Sequence, residues 1–269
     1  MRAFRTTVWK YWRKNGRHDL PWRKTKDPYR ILVSEVMLQQ TQVSRVQEKY
    51  EKFLKVFPTV RKLARAKLAD VLKIWSGLGY NRRGKYLHDA AKVIVEKYNG
   101  IVPKDKAHLK ALPGIGDYTA GAVRVFAFNE FDVLIETNIR AAFIHHFFSR
   151  ILLVYDRRII RYAEKASRGH PSIGGSREWH WALMDYGVYI KKLYKNPARK
   201  SAHHVKQSKF EGSLRQVRGA ILRALHFGPQ AESAMRCHLI ATDSRFKSAI
   251  EGLERDGLVV KKKGKWKIA

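Results

Sequence analysis

Leu112 to Val123 reads LPGIGDYTAGAV, and its reading decides the fold. A proline and two glycines in a Gly-x-Gly turn feed directly into the apolar run TAGAVRVFAF, with a helical pattern on both sides. Two helices joined by a tight hairpin follow. Backbone N–H groups in such a turn are unblocked by side chains, and the positive end of the next helix stands behind them. Pro113, Gly114, Ile115 and Gly116 are therefore a candidate cradle for a phosphate oxygen, with an ordinary interhelical turn as the alternative.

Outward from the hairpin, the periodicity is helical almost throughout. VSRVQEKYEKFLKVF (43–57), KLADVLKIWSGL (67–78), KYLHDAAKVIVEKY (85–98) and REWHWALMDYGVYIKKLY (177–194) carry apolar residues three and four apart, with Gly or Pro between segments. The body is expected to be all-α. HPSIGGSRE (170–178) reads as a loop, and the polar, basic stretch 195–213 as a connection. From Leu214 the pattern changes: LRQVRGAILRALHF, AESAMRCHLIA and DSRFKSAIEGLERDG read as three short helices, and LVVKKKGKWKIA as two strands about a tight turn. Helices that end in a basic hairpin suggest a winged helix, with DSRFKSAIEGLERDG as candidate recognition helix and Lys261, Lys262, Lys263, Lys265 and Trp266 able to reach phosphates or a minor groove.

Charge narrows the function. The 269 residues hold 55 Lys and Arg against 23 Asp and Glu, a formal net of +32. That excess far exceeds what solubility requires and points to a polyanionic partner. Nucleic acid is favoured over membrane, because no run of 18 apolar residues occurs and the first twenty residues lack a signal peptide's apolar core. An intracellular, cytoplasmic and nucleoid location is expected. The single cysteine, Cys237, excludes an intrachain disulfide and any all-cysteine metal or cluster site built from these residues alone.

LPWRKTKDPYRILVSEVMLQQTQV, WSGLGYNRRGKYLHDAA, LPGIGDYTAGAV and ALMDYGVYI together resemble the MutY-type adenine DNA glycosylases of the helix-hairpin-helix glycosylase superfamily. The match runs in order from about Val8 to Phe148 and resumes over Glu178 to Ile190. The resemblance implies a fold of two helical lobes: residues 1–23 with 133–209 form one, residues 24–132 carry the hairpin, and 210–269 form the winged helix. It implies monofunctional hydrolysis of the N-glycosidic bond of adenine mispaired with 8-oxoguanine or guanine in duplex DNA, by a monomer. Such a reaction needs an acid to protonate the base and an anion near the developing oxocarbenium ion. Glu35, in SEVMLQQT, would donate to purine N7 from a partly buried site with raised pKa; a surface Glu on an amphipathic helix is the plain alternative. Gln39 would wedge into the hole left by the flipped adenine, Gln40 and Thr41 would frame the pocket, and Tyr80 would stack beside the lesion unless it is a core tyrosine.

The sequence departs from the pattern in three places. The family has Asp two residues before Asn, whereas this chain has Glu136 before Asn138, a carboxylate one methylene longer. Asp132, in NEFD, is a conceivable substitute but reads as part of an exposed turn. The family's [4Fe–4S] cysteines, expected after ALMDYGVYI, are replaced by a stretch without any, so no such cluster is expected; ten Lys or Arg against one acid between Ile190 and Arg223 would keep the DNA contact. The 60 residues from Phe210 are too few for the family's lesion-reading domain. Tyr118 stands where enzymes that also nick the strand carry a lysine, so lyase chemistry is not expected, and Tyr118 is placed near the carboxylate or sugar. The pairs His145–His146 and His203–His204 are not read as metal ligands, and a monovalent or divalent cation at the hairpin is left open. A uracil or thymine mismatch glycosylase and a non-catalytic damage-binding protein are the alternatives.

Overall fold

The structure, a computed structural model, describes residues 1–168, 175–206, 209–237 and 242–269. The helices are α1 (Arg2–Asn15), α2 (Pro28–Leu38), α3 (Val43–Val56), α4 (Val60–Arg65), α5 (Leu68–Trp75), α6 (Arg82–Lys97), α7 (Lys106–Lys110), α8 (Asp117–Phe128), α9 (Thr137–Phe147), α10 (Asp156–Arg168) and α11 (Gly175–Leu193). After them come α12 (Leu214–Leu225), α13 (Glu232–Cys237) and α14 (Asp243–Arg255), with strands β1 (Gln230–Ala231), β2 (Val259–Lys262) and β3 (Lys265–Ile268). The body is helical, as the periodicity predicts. One boundary differs: Gly175 to Glu178, expected in a loop, are the first turn of α11. The rest of that expected loop, residues 170–174, and the end of the expected helix 231–241 lie outside the described residues.

Local chemistry sets the helix ends. Asp27 Oδ1 accepts from the amides of Tyr29 and Arg30 at 2.8 and 3.2 Å, capping α2 with Pro28 in its first turn. Thr59 and Ser213 cap α4 and α12 in the same manner. Asn129, left-handed at φ 57°, ends α8.

The chain divides into two compact units. The first comprises Met1–Leu32, Lys104–Lys110 and Ile115–Lys206. Its core joins α1, α9 and α11 through Phe4, Trp9, Phe143 and Trp179, whose rings meet edge-on or tilted at 5.1 to 6.3 Å. α11 approaches α9 very closely: a Cβ on Gly187 would stand 1.9 Å from the carbonyl oxygen of Asn138. Asp185, two residues before Gly187 on α11, is buried and accepts from the guanidinium groups of Arg17 and Arg23 at 2.6 to 2.9 Å. The stretch after α11 turns through Pro197–Lys200 and buries Ala198 and Ser201, with Ser201 bridged to Val154.

The second unit comprises Val33–Pro103, Ala111–Gly114 and Gln207–Ala269. Phe53, Leu63, Trp75, Leu87 and Ile94 fill the space among α3 to α6. Within the same unit, α12 to α14 enclose Val217, Ile221, Phe246, Leu253 and Trp266, and Leu72, Leu68 and Ala69 of α5 pack into that cluster. β1, β3 and β2 form an antiparallel sheet in that order, and β2 turns into β3 through Lys263 and Gly264, both at positive φ. Two positive-φ residues between paired strands match the handed twist of a hairpin. Asp256 accepts from Arg82 of α6 at 3.3 Å and pairs with Arg218 of α12, tying the C-terminal elements to α6. No helix of the described residues is long and apolar enough to cross a membrane.

Candidate active site

In the second unit, the apolar run of α2 carries Glu35 inward. Val33, Val36 and Met37 are fully buried and Glu35 is 8% exposed, so this acid is not on a solvated face. Leu38 ends the helix, and Gln40 adopts a left-handed φ of 53°. Gln39 and Thr41 are half-buried and Gln40 is exposed.

The residue that fixes this corner is Arg83, which the sequence reading passed over. Its Nη1 donates to the carbonyls of Val36 (2.9 Å), Met37 (3.0 Å) and Gln39. Its Nη2 donates to Thr41 Oγ1 (2.9 Å) and to the carbonyls of Leu78 (3.3 Å) and Gly79 (3.1 Å). One guanidinium thus caps the C-terminal carbonyls of α2, where a cation suits the helix dipole, and ties them to the Gly-Leu-Gly loop. Burial lowers its pKa to about 10, and it stays charged at neutral pH. Tyr80, next in that loop, has φ 46° and is half-buried, with the guanidinium groups of Arg83 and Arg215 at 5.5 and 5.3 Å from the centre of its ring. Arg215 also donates to the Tyr80 hydroxyl at 2.7 Å.

In the first unit, Glu136 is the N-cap of α9. Oε1 accepts from the amides of Asn138 and Ile139, both at 2.8 Å, and Oε2 accepts from Asn138 Nδ2 at 3.0 Å. The extra methylene is taken up by folding the side chain back over the helix start. Lys191 donates to Asn138 Oδ1 at 3.1 Å, which orients that amide. Burial pushes the Glu136 pKa up, against the two amides and the charges of Lys191 and Arg140. Arg140 grips Asp156 with two bonds of 2.8 and 2.6 Å, and lies within electrostatic reach of Glu136 and Tyr118. Contrary to the expectation of an exposed turn, Asp132 has a side chain only 11% exposed, held by Lys106 and Arg124 at 3.0 Å each. Its position is occupied structurally.

The hairpin between α7 and α8 has Gly114 at φ 73°, where a Cβ would strike the Tyr86 ring, and Gly116 as the extended cap of α8. Ile115 buries its side chain and Pro113 is half-buried. On the C-terminal hairpin, Lys261, Lys262 and Lys263 are exposed, with Lys261 over the Trp266 ring at 5.6 Å. Trp266 itself is buried in the C-terminal core, which removes it from the surface assigned to it above. Among the described residues, no group of three or more His, Cys, Asp or Glu side chains is placed to hold a metal ion.

A family model described as HhH-GPD superfamily base excision DNA repair protein matches residues 33–170. The chain is 36% identical over 188 residues to an adenine DNA glycosylase of Buchnera aphidicola, covering 70% of this chain and 53% of that protein. It is 46% identical over 130 residues to the adenine DNA glycosylase of Mycolicibacterium smegmatis, covering 48% of this chain and 44% of that one. The chain thus spans about half the length of the curated relatives it matches. Among solved structures, a thermostable thymine-DNA glycosylase aligns with TM-score 0.64 and 29% identity over 74% of this chain and 91% of its own.

Proposed function

The chain belongs to the HhH-GPD superfamily of base excision DNA repair proteins, and from that premise we propose that it is a monofunctional DNA N-glycosylase acting on adenine mispaired with 8-oxoguanine or guanine. The observation that carries this reading is Glu35, a carboxyl 8% exposed in an apolar helix that is followed directly by Gln39, Gln40 and Thr41. A buried carboxyl suits a general acid, since desolvation disfavours its charged form. Glu35 protonates the departing adenine at N7, which turns a poor leaving group into a neutral one. Glu136 supplies the anion beside the sugar, and water completes the hydrolysis. Burial outweighs the other influences and raises the Glu136 pKa, while three N–H bonds and two nearby cations act in the opposite sense, towards the ionised form that this role demands.

Gln39 enters the stack where the adenine leaves, Gln40 and Thr41 line that opening, and the amides of Pro113–Gly116 and the lysines Lys261 to Lys263 hold phosphates. Proline has no amide hydrogen, so within the hairpin the donors are Gly114, Ile115 and Gly116. Tyr118 offers no amine, so no Schiff base forms and the strand stays intact. A cluster held by four thiolates does not fit these 269 residues, which hold one cysteine, and no step is routed through one. A second reading, thymine or uracil excision opposite guanine, is favoured by the likeness to the thymine-DNA glycosylase.

Single-turnover base release from labelled duplexes with adenine opposite 8-oxoguanine, adenine opposite guanine, uracil opposite guanine and thymine opposite guanine separates these readings. Adenine is expected to be released, and Glu35→Gln and Glu136→Gln are each expected to slow release by at least ~100-fold. Release of uracil or thymine alone moves the protein to the second reading, and binding without any release sinks the enzyme.

A further inference from the structure

Within the first unit, Asn138 meets α11 twice. A Cβ on Gly187 would lie 1.9 Å from its carbonyl oxygen, and four residues on, along the same face of the helix, Lys191 Nζ donates to its side-chain Oδ1 at 3.1 Å. The bare backbone at 187 lets the two helices approach closely enough for the lysine to reach. Lys191 is also the first residue after ALMDYGVYI, so the stretch without cysteines contributes a group to the candidate site.

An ammonium has only donors, so it can face only the oxygen end of the Asn138 amide. That leaves Nδ2 to point at Glu136 Oε2, 3.0 Å away. With the amide turned end for end, Oδ1 would oppose Oε2 and the contact would be repulsive. Through one intervening amide, the lysine therefore selects the arrangement in which both Glu136 oxygens are held, Oε1 by the amides of Asn138 and Ile139 and Oε2 by Nδ2. A glutamate needs this second hold, because it has one more rotatable bond to immobilise than the aspartate that usually caps a helix. Charge acts in the same sense. The cations around Glu136 are Lys191 of α11 and Arg140 of α9; beyond Arg140 stand Tyr118 of α8 and Asp156 of α10, with His203 Nε2 4.0 Å from Asp156. Arg140 is paired with Asp156, whereas Lys191 makes no ion pair among the described residues and donates to Asn138 instead.

We propose that Lys191 is a positioning residue: acting through Asn138, it fixes the Glu136 carboxylate over the first turn of α9 in the orientation that the reaction uses. The plain alternative is a lysine that serves only the last turn of α11, where a cation suits the helix dipole. The catalytic consequence rests on the reading of Glu136 as the anion beside the sugar, while the link from Lys191 to Glu136 does not.

The test compares Lys191→Met, Lys191→Gln and Lys191→Arg in the full chain, with Lys192→Met, an exposed neighbour on α11, as the control for a lost charge. Single-turnover adenine release at saturating enzyme is expected to fall roughly tenfold in Lys191→Met with the duplex Kd within about twofold, and Lys191→Arg to recover to within about threefold of the parent. In a Glu136→Gln background, Lys191→Met is expected to add less than about twofold, because a residue that acts through another has nothing left to act on. Removing a cation beside a carboxylate favours its protonated form, so the acid limb of the rate against pH should move to higher pH in Lys191→Met and Lys191→Gln, and stay in place in Lys192→Met. The same link is read without DNA from the carbon-13 shift of the Glu136 carboxyl, assigned by its loss in Glu136→Gln, whose titration midpoint should rise in both Lys191 variants. Lys191→Gln keeps a donor and loses only the charge, and it carries these measurements where Lys191→Met does not fold. Equal slowing by Lys191→Met in the parent and in Glu136→Gln, an unmoved Glu136 titration, or the same effects from Lys192→Met would each overturn the proposal. A moved titration in a protein that releases no base leaves the link standing and removes the glycosylase reading; adenine release with an unmoved titration does the reverse.

Discussion

Replacing Gly187 by alanine sets two known effects against each other, and the structure decides the sign. In a helix interior, Gly→Ala ordinarily stabilises by about 1 kcal/mol, because alanine has less backbone freedom to lose. At this position the new Cβ would lie 1.9 Å from the Asn138 carbonyl oxygen, 2.4 Å from its carbon and 2.9 Å from its Cα, all of them backbone. A carbon–oxygen contact settles at about 3.3–3.6 Å, so α9 and α11 must part locally by roughly 1.4 Å or more. Overpacking of this kind costs about 1–3 kcal/mol, and backbone against backbone belongs at the upper end. The net expectation is a loss of about 1–2 kcal/mol, seen as a lower urea midpoint followed by tryptophan fluorescence. The effect on the candidate site is larger. Glu136 is bound to the amides of Asn138 and Ile139, so displacing the first turn of α9 carries the carboxylate with it. A shift near one ångström is worth on the order of 100-fold in rate. Single-turnover adenine release should therefore fall about 100-fold at a temperature where the variant remains folded. A Gly187→Ala protein as stable as its parent, with an unchanged rate, would refute both the packing argument and the placement of Glu136.

Two further outcomes follow from the buried groups. His180 is 1% exposed, its Nδ1 bonds the Ser176 carbonyl at 2.7 Å, and burial lowers its pKa from 6.5 to about 4. The unfolded chain takes up this proton near pH 6.5 and the folded chain only near pH 4, so the stability is full above pH 6.5 and is lost as pH falls towards 4. The loss amounts to about 3 kcal/mol, and urea midpoints between those pH values should fall less steeply in His180→Gln than in the parent. Arg83→Met removes the donor to five carbonyls and to Thr41 Oγ1, and a loss of about 3 kcal/mol or more is expected from leaving buried acceptors unmet. Arg83→Lys, with fewer donors and no fork, should recover part of that loss in thermal unfolding; full recovery would show that charge alone suffices.

Much of the helical body was legible because its signals are local. The spacing of Val46, Tyr50 and Phe53 predicts the buried stripe of α3, and the Lys263–Gly264 step between two apolar runs predicts the hairpin. Glu35 was found through its motif, since one acid in an apolar run has no periodicity of its own. The reading failed where a residue's part is set by segments distant in sequence. Gly-Gly-Ser before Arg177 looks like a loop, yet Asn129 Oδ1 accepts the Arg177 amide and helps to start α11 four dozen residues later. Trp266 stands in a run of lysines, but alternation along β3 turns it and Ile268 inward while Lys265 faces out.

Arginines show the limit most sharply. Arg82 and Arg83 are adjacent in YNRRGKY and identical to any pattern of charge, but the first is a surface partner of Asp256 and the second is the buried clamp of two loops. A formal charge of +32 cannot sort them, because it counts cations without regard to what each one touches. The sorting needs geometry: Asp256 takes Arg82 and Arg218, Asp185 takes Arg17 and Arg23, and Asp156 takes Arg140. Each carboxylate spent in this way leaves the remaining cations to define the field that an incoming phosphate meets. α12 carries three arginines and no acid, while on α14 charges of both signs cancel along the helix. Net charge announces a polyanion, and the placement of a few acids sets which helices carry an excess of positive charge.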